Sequence, residues 1–197
     1  MLRPKSNESD GIKMSNITNK YFRILQDAGT EDMLRQGAEW YPKAWNECQQ
    51  ISKAHGISAQ RAAAVLAVTS PRARWSQNVK ATHAIVEDSF RPVYKRRANY
   101  GILGASSAKG LAVMSEHYYS RLVTGAKVSA FYANIVGRTD LVTVDSLMSK
   151  AAGYGSDVSP KIRGEVTEAC ENLALVFDTN PRDMQAAIWI AYRGSAY

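Results

Sequence analysis

An all-α fold is what this sequence predicts, and three observations predict it. Apolar residues recur at helical spacing over most of the chain, and the runs are bounded by Ser, Asn, Gly or Pro where helices start and stop. Alternation with β-branched residues is confined to positions 141–144. A chain of 197 residues suits one globular unit, here two small helical lobes around a cleft.

Residues 1–18 are polar and aperiodic, with Pro4, Ser6, Asn7, Ser9, Asp10 and Gly11, and predict a mobile tail ahead of a globular unit over 19–197. Folding is expected to start near Tyr21. The stretch from Thr30 carries Met33, Leu34, Trp40, Trp45 and Ile51, is interrupted by Pro42 and stops at Gly56, so two helical pieces are predicted. Ser58 caps the next element, SAQRAAAVLAVTS, whose nearly continuous apolar content and ending at Pro71 predict a buried helix. A polar, basic loop follows, PRARWSQN, leading into the helix KATHAIVEDSF. VYKRRANYG adds Lys95, Arg96 and Arg97, and AKGLAVMSEHYYSRL reads as one further helix before Gly125. At the end, Asn180 caps a helix that opens on Pro181 and spaces Met184, Ala187, Ile188 and Ala191 for one packed face.

Lys and Arg number 25 against 18 Asp and Glu, a formal charge of +7, and the pI is near 9.4. That balance favours a polyanionic partner, nucleic acid ahead of an anionic membrane. No apolar run reaches the roughly 20 residues that span a bilayer, and the first residues lack the apolar core of a secretory signal, so a monomeric cytoplasmic protein is expected. Two cysteines, Cys48 and Cys170, are too few for a four-thiolate site and read as reduced core thiols. His55, His83 and His117 lack ligand spacing, so neither metal nor cofactor is expected.

Two segments carry the chemistry. Residues 122–150 read LVTGAKVSAFYANIVGRTDLVTVDSLMSK: a Gly-containing hairpin, a helix, a turn at Gly137, then an aspartate opening another helix, with Lys127 and Asp145 eighteen positions apart. Upstream lies AVLAVTSPRARWSQNVKAT. Together, in this order, the two segments resemble the helix-hairpin-helix DNA glycosylases of the endonuclease III and 8-oxoguanine glycosylase branches, and the chain is similar to bacteriophage proteins of like length, for which the compartment is the host cytoplasm. The hairpin departs from the family pattern in having Val123 at the first glycine, which leaves Gly125 of the pair, and Leu122 at the usual proline. Ser146 and Leu147 follow the aspartate in place of the usual residues, and the four-cysteine cluster of many relatives is absent, so no iron–sulfur centre is implied.

The resemblance implies a protein that flips a damaged or modified base out of double-stranded DNA and excises it, with lyase activity. It makes Lys127 the amine nucleophile and Asp145 the electrostatic or acid–base partner. A free lysine has a pKa of about 10.4, so such a site has to desolvate it or surround it with cations; Arg138 and Lys150 share its segment. Gly125 brings backbone N–H groups close to a phosphate. Arg72, Arg74 and Lys80 contact phosphates, Trp75 or Gln77 fills the space of the flipped base, and Asn78 belongs to the same DNA-binding loop. Phe131 and Tyr132 are stacking partners for the extruded base. Plainer roles compete: Lys127 as a solvated helix residue, Asp145 as a helix cap, Phe131 and Tyr132 as core. Two other functions stay open, a phage enzyme that remodels DNA bases on the same scaffold and a DNA-binding module without turnover.

Overall fold

A computed structural model describes residues 15–194. The expected tail falls mostly on residues 1–14, outside the described residues. The chain is helical, in the order α1 (Asn16–Ala28), α2 (Thr30–His55), α3 (Ala59–Thr69), α4 (Trp75–Ser89), α5 (Gly104–Ser115), α6 (Ala126–Ile135), α7 (Ser146–Ala152), α8 (Pro160–Val176) and α9 (Pro181–Arg193). No strand forms among the described residues, and positions 141–144 run as extended chain with Val142, Thr143 and Val144 buried. The chain divides into two compact units, one from residues within Met1–Tyr41 and Gly137–Ala196, the other over Pro42–Val136.

In the first unit, helix begins five residues before Tyr21, because Ser15 supplies a cap whose hydroxyl accepts from the Thr18 N–H. Helix α1 packs on α7, α8 and α9. Tyr21 is fully buried and donates to the Met148 carbonyl at 2.8 Å, and burial pushes its phenol well above the ordinary value. Helices α8 and α9 open as proline at the first position predicts, capped by Ser159 and Asn180. At Gly37 the α2 backbone meets α9 directly: a Cβ there would lie 2.5 Å from the Asp183 carbonyl oxygen and 2.8 Å from Ala187.

In the second unit, α3 is the centre, buried over residues 62–69 and packed by α4, α5 and α6. Gly110 of α5 permits the approach, since a Cβ there would stand 3.1 Å from both Ile85 and Thr69. Arg61 donates to the Met114 and Glu116 carbonyls at the end of α5, satisfying acceptors that a helix terminus leaves open. The last expected helix of this region is shorter than its sequence suggested: α5 stops at Ser115, and a 3₁₀ turn covers Tyr119–Leu122. Cys48 and Cys170 are free and buried, one in each unit.

Pro42 does not break α2, contrary to the two pieces expected. Proline in a helix interior costs about 3 kcal/mol by removing one N–H and crowding the carbonyl four residues back. Here Ala38 and Pro42 are both exposed, so the orphaned carbonyl lies on the solvent side of the helix. Trp40, Tyr41, Ala44, Cys48 and Ile51 are buried along the same helix and offset the loss.

Two predictions follow from this packing. Replacing Gly37 with alanine gains about 1 kcal/mol of helix propensity, but the backbone contact costs about 1–3 kcal/mol; G37A is expected to lower the urea midpoint, and a raised midpoint refutes the contact. The rings of His55 and His83 meet at 3.1 Å between Nε2 and Nδ1, and burial, then the neighbouring His55, holds the His83 pKa below its usual value. Folding thus favours neutral His83: its contribution is full above the unfolded value of about 6.5 and is lost as pH falls through the folded value. His83→Gln is expected to flatten the pH dependence of the unfolding free energy in that window.

Candidate functional site

The two units differ in charge. Residues 42–136 hold thirteen Lys and Arg against four Asp and Glu, a net +9, while the other residues hold twelve against fourteen, a net −2. The positive excess is therefore a property of one unit. Of its four acids, Glu87 and Asp88 are engaged by Arg91 and Arg97.

Lys127 lies in this unit, half-buried in the first turn of α6. Its ammonium donates to Ser70 Oγ at 2.5 Å and sits 4.9 Å from the centre of the Phe131 ring. Ser70 donates in turn to the Ala67 carbonyl at 2.8 Å, which leaves its lone pairs for the ammonium. Ser70 is the residue before Pro71, so Lys127 is fastened to the root of the PRARW turn. The pairing of the lysine with that turn follows from α6 packing on α3. Gly125 precedes α6 with φ +91°, a conformation that favours glycine, and no side chain caps the helix. Lys109, not singled out by its sequence context, donates to Thr124 Oγ1 at 2.9 Å and brings a second cation beside Gly125.

The other expected DNA contacts divide. Arg72, Arg74 and Lys80 are exposed, and Arg72 adopts φ +59° in the turn before α4. Helix α4 starts at Trp75, so Trp75, Gln77, Asn78 and Lys80 stand on its first two turns instead of in a loop. Trp75 is half-buried, and exposed Gln77 donates to the Gly101 carbonyl. Asn78 faces inward: 2 % exposed, it donates to the Leu66 carbonyl at 2.9 Å, and its Oδ1 lies 2.7 Å from Thr69 Oγ1. It ties α4 to α3 and has no surface to offer DNA. Phe131 is likewise core, with one ring face under the Lys127 ammonium, because residue 131 of α6 turns inward toward α3. Tyr132 is half-buried and bonded to Tyr119, and burial foremost pushes its phenol up to about 12.

Asp145 belongs to the first unit. It caps α7, with Oδ1 accepting from the Leu147 and Met148 N–H groups at 2.9 Å each. Oδ2 accepts from the Trp189 indole at 3.3 Å, and the Arg193 guanidinium covers that indole at 4.8 Å. Arg138, expected as a cationic neighbour of the lysine, is paired with Asp140, and Lys150 is exposed in the last turn of α7.

If Asn78 is a structural tie, Asn78→Ala leaves the Leu66 carbonyl and the Thr69 hydroxyl without it, at a cost of about 1–3 kcal/mol. Chemical denaturation is expected to show that loss while DNA affinity of the folded variant stays within about twofold; a large affinity loss in a stable variant contradicts the assignment.

No curated protein and no solved structure matches the chain. A family profile matches residues 3–196, nearly its whole length. With that coverage, the chain belongs to the family of unknown function DUF7178.

Proposed function

We propose that the protein is a DNA glycosylase with AP-lyase activity in which Lys127 is the amine nucleophile. The observation that carries the reading is the setting of that amine. It is half-buried between the Ser70 hydroxyl and the Phe131 ring, in the first turn of a helix that opens on glycine, in a unit of net charge +9. The open N–H groups at the start of α6, with Lys109 beside them, suit a phosphate, and the exposed Arg72, Arg74 and Lys80 suit its neighbours along a strand.

In this reading the ammonium first gives a proton to water; the amine then adds at the sugar's anomeric carbon, the glycosidic bond breaks, and the base leaves with the bonding pair and takes up a proton. Opening of the sugar ring gives a Schiff base, from which elimination of the 3′ phosphate breaks the strand. Ser70 orients the amine; its own proton is directed at Ala67, so it accepts from Lys127.

A second reading, a DNA-binding scaffold without turnover, is favoured by Asp145. Both of its oxygens are engaged, by two backbone N–H groups and an indole, which a purely structural cap also accounts for.

Borohydride trapping on duplexes carrying abasic sites, oxidised purines and oxidised or hydroxymethylated pyrimidines separates the two. A covalent adduct is expected with the native chain and none with Lys127→Ala, whose DNA affinity stays largely intact. Asparagine caps helices as well as aspartate does but cannot also accept from the Trp189 indole, so Asp145→Asn is expected to lower the melting temperature slightly, without unfolding the protein, and to slow base release. Absence of an adduct on every duplex, with DNA binding retained, selects the scaffold.

A further inference from the structure

The turn after α4 shows its aromatic side chains to solvent. Phe90 is 65 % exposed and Tyr94 82 % exposed, with Val93 between them also open. Burying apolar side chains is favourable, so the turn carries apolar surface that the isolated chain leaves wet. Cations accompany it: Lys95 lies 5.8 Å from the Tyr94 ring centre, and Arg96 is fixed by its Nε–H to the Arg91 carbonyl. Among the described residues, neither Lys95 nor Arg96 has a carboxylate within ion-pair distance, whereas Arg91 and Arg97 are neutralised by Glu87 and Asp88.

The turn is also braced. The Asp88 side chain, wholly buried, accepts from the Arg97 backbone N–H at 2.7 Å, the Arg97 guanidinium at 2.6 Å and the Tyr100 hydroxyl at 3.0 Å. The chain between residues 88 and 97 is thereby closed into a fixed loop, and its aromatics are presented with little further ordering cost on binding. Phe90 also walls an open pocket of about 320 Å³ lined by Ile57, Ser58, Arg61, Ser89 and Met114. That volume is at the small end of ligand sites. The pocket joins an exposed ring face to serine hydroxyls and a guanidinium.

We propose that the 90–97 turn and the pocket behind Phe90 form a nucleic-acid surface distinct from the Lys127 region, one that stacks unpaired bases of a single strand on Phe90 and Tyr94 while Lys95 and Arg96 follow its phosphates. Charge selects the occupant: a unit of net charge +9, with its nearby acids already neutralised, attracts a polyanion. Aromatic faces flanked by cations are the chemistry that holds single strands without reading sequence. The inference rests on the nucleic-acid reading of this unit and not on Lys127 chemistry.

The test uses the full-length chain and 2-aminopurine-labelled single strands, blunt duplexes and duplexes with a short unpaired bubble, with affinity by anisotropy and stacking by fluorescence quenching. Phe90→Ala and Tyr94→Ala are each expected to weaken single-strand and bubble binding at least about fivefold. Both should also reduce quenching, and Tyr94→Trp should restore what Tyr94→Ala loses. Blunt-duplex binding and borohydride trapping on an abasic duplex are expected to change less than twofold. Unaltered single-strand affinity and quenching in both alanine variants overturn the proposal while leaving the glycosylase reading intact. Loss of trapping in Lys127→Ala with quenching unchanged keeps the two apart. Concentration-dependent dimerisation of the native chain that either alanine variant abolishes overturns it in favour of self-association, and failure of the native chain to bind any DNA overturns both.

Discussion

Asp88 is a carboxylate with no exposed side-chain surface in a unit that carries net charge +9, and the arrangement of that unit's surface depends on it. Burial, the largest single influence on its ionisation, works against the charged form. The Arg97 N–H, the Tyr100 hydroxyl and the charges of Arg97 and Arg91 together outweigh it and hold the carboxyl below its usual range. Two of the cations are thereby spent on internal structure, and the segment between them is folded back on α4. Without this anchor, residues 90–97 would be a basic, aromatic linker; with it they are a surface of fixed shape. A buried carboxylate surrounded by donors is stable only as a set, because removal of any one partner leaves the others desolvated and incompletely satisfied.

The junction of α3, α4 and α6 follows the same logic, mostly with neutral groups. Helix α3 ends at Thr69 and the chain reverses through Ser70 and Pro71, which exposes carbonyls at the helix end. Asn78 reaches back from α4 to the Leu66 carbonyl, Thr82 donates to the Asn78 carbonyl, and Ser70 closes on Ala67. Lys127 completes the junction from α6. Its position therefore depends on α3 ending where it does, and the amine is held by groups whose first duty is to finish a helix. In the other unit Asp145 has an equivalent double service, finishing α7 while binding the indole of α9.

Much of the helical plan was legible because its signals are local. Ser58, Asn180 and Asp145 act as caps, Gly56 and Gly125 adopt positive φ at helix ends, and the apolar run of α3 is buried, each from chemistry that operates within a few residues. Pro42 misled for the complementary reason: a local signal to break was overridden by apolar residues on both sides of it that bury along one continuous helix. Asn78 misled because a polar residue beside a basic loop has the same local appearance whether it faces DNA or the core.

By itself, the sequence determined the helical class, the capped starts of α3, α7 and α9, the reduced core cysteines and the excess of positive charge, all of which are sums or short-range patterns. Only the tertiary structure decided that the charge belongs to one unit and that Lys127 is fastened to Ser70. It alone decided that Asn78 points inward and that Asp88 gathers Arg97 and Tyr100 from nine and twelve residues away. These contacts join residues from different helices or turns, and which of them meet is set by how apolar faces close on one another, a long-range outcome that no window of the chain encodes.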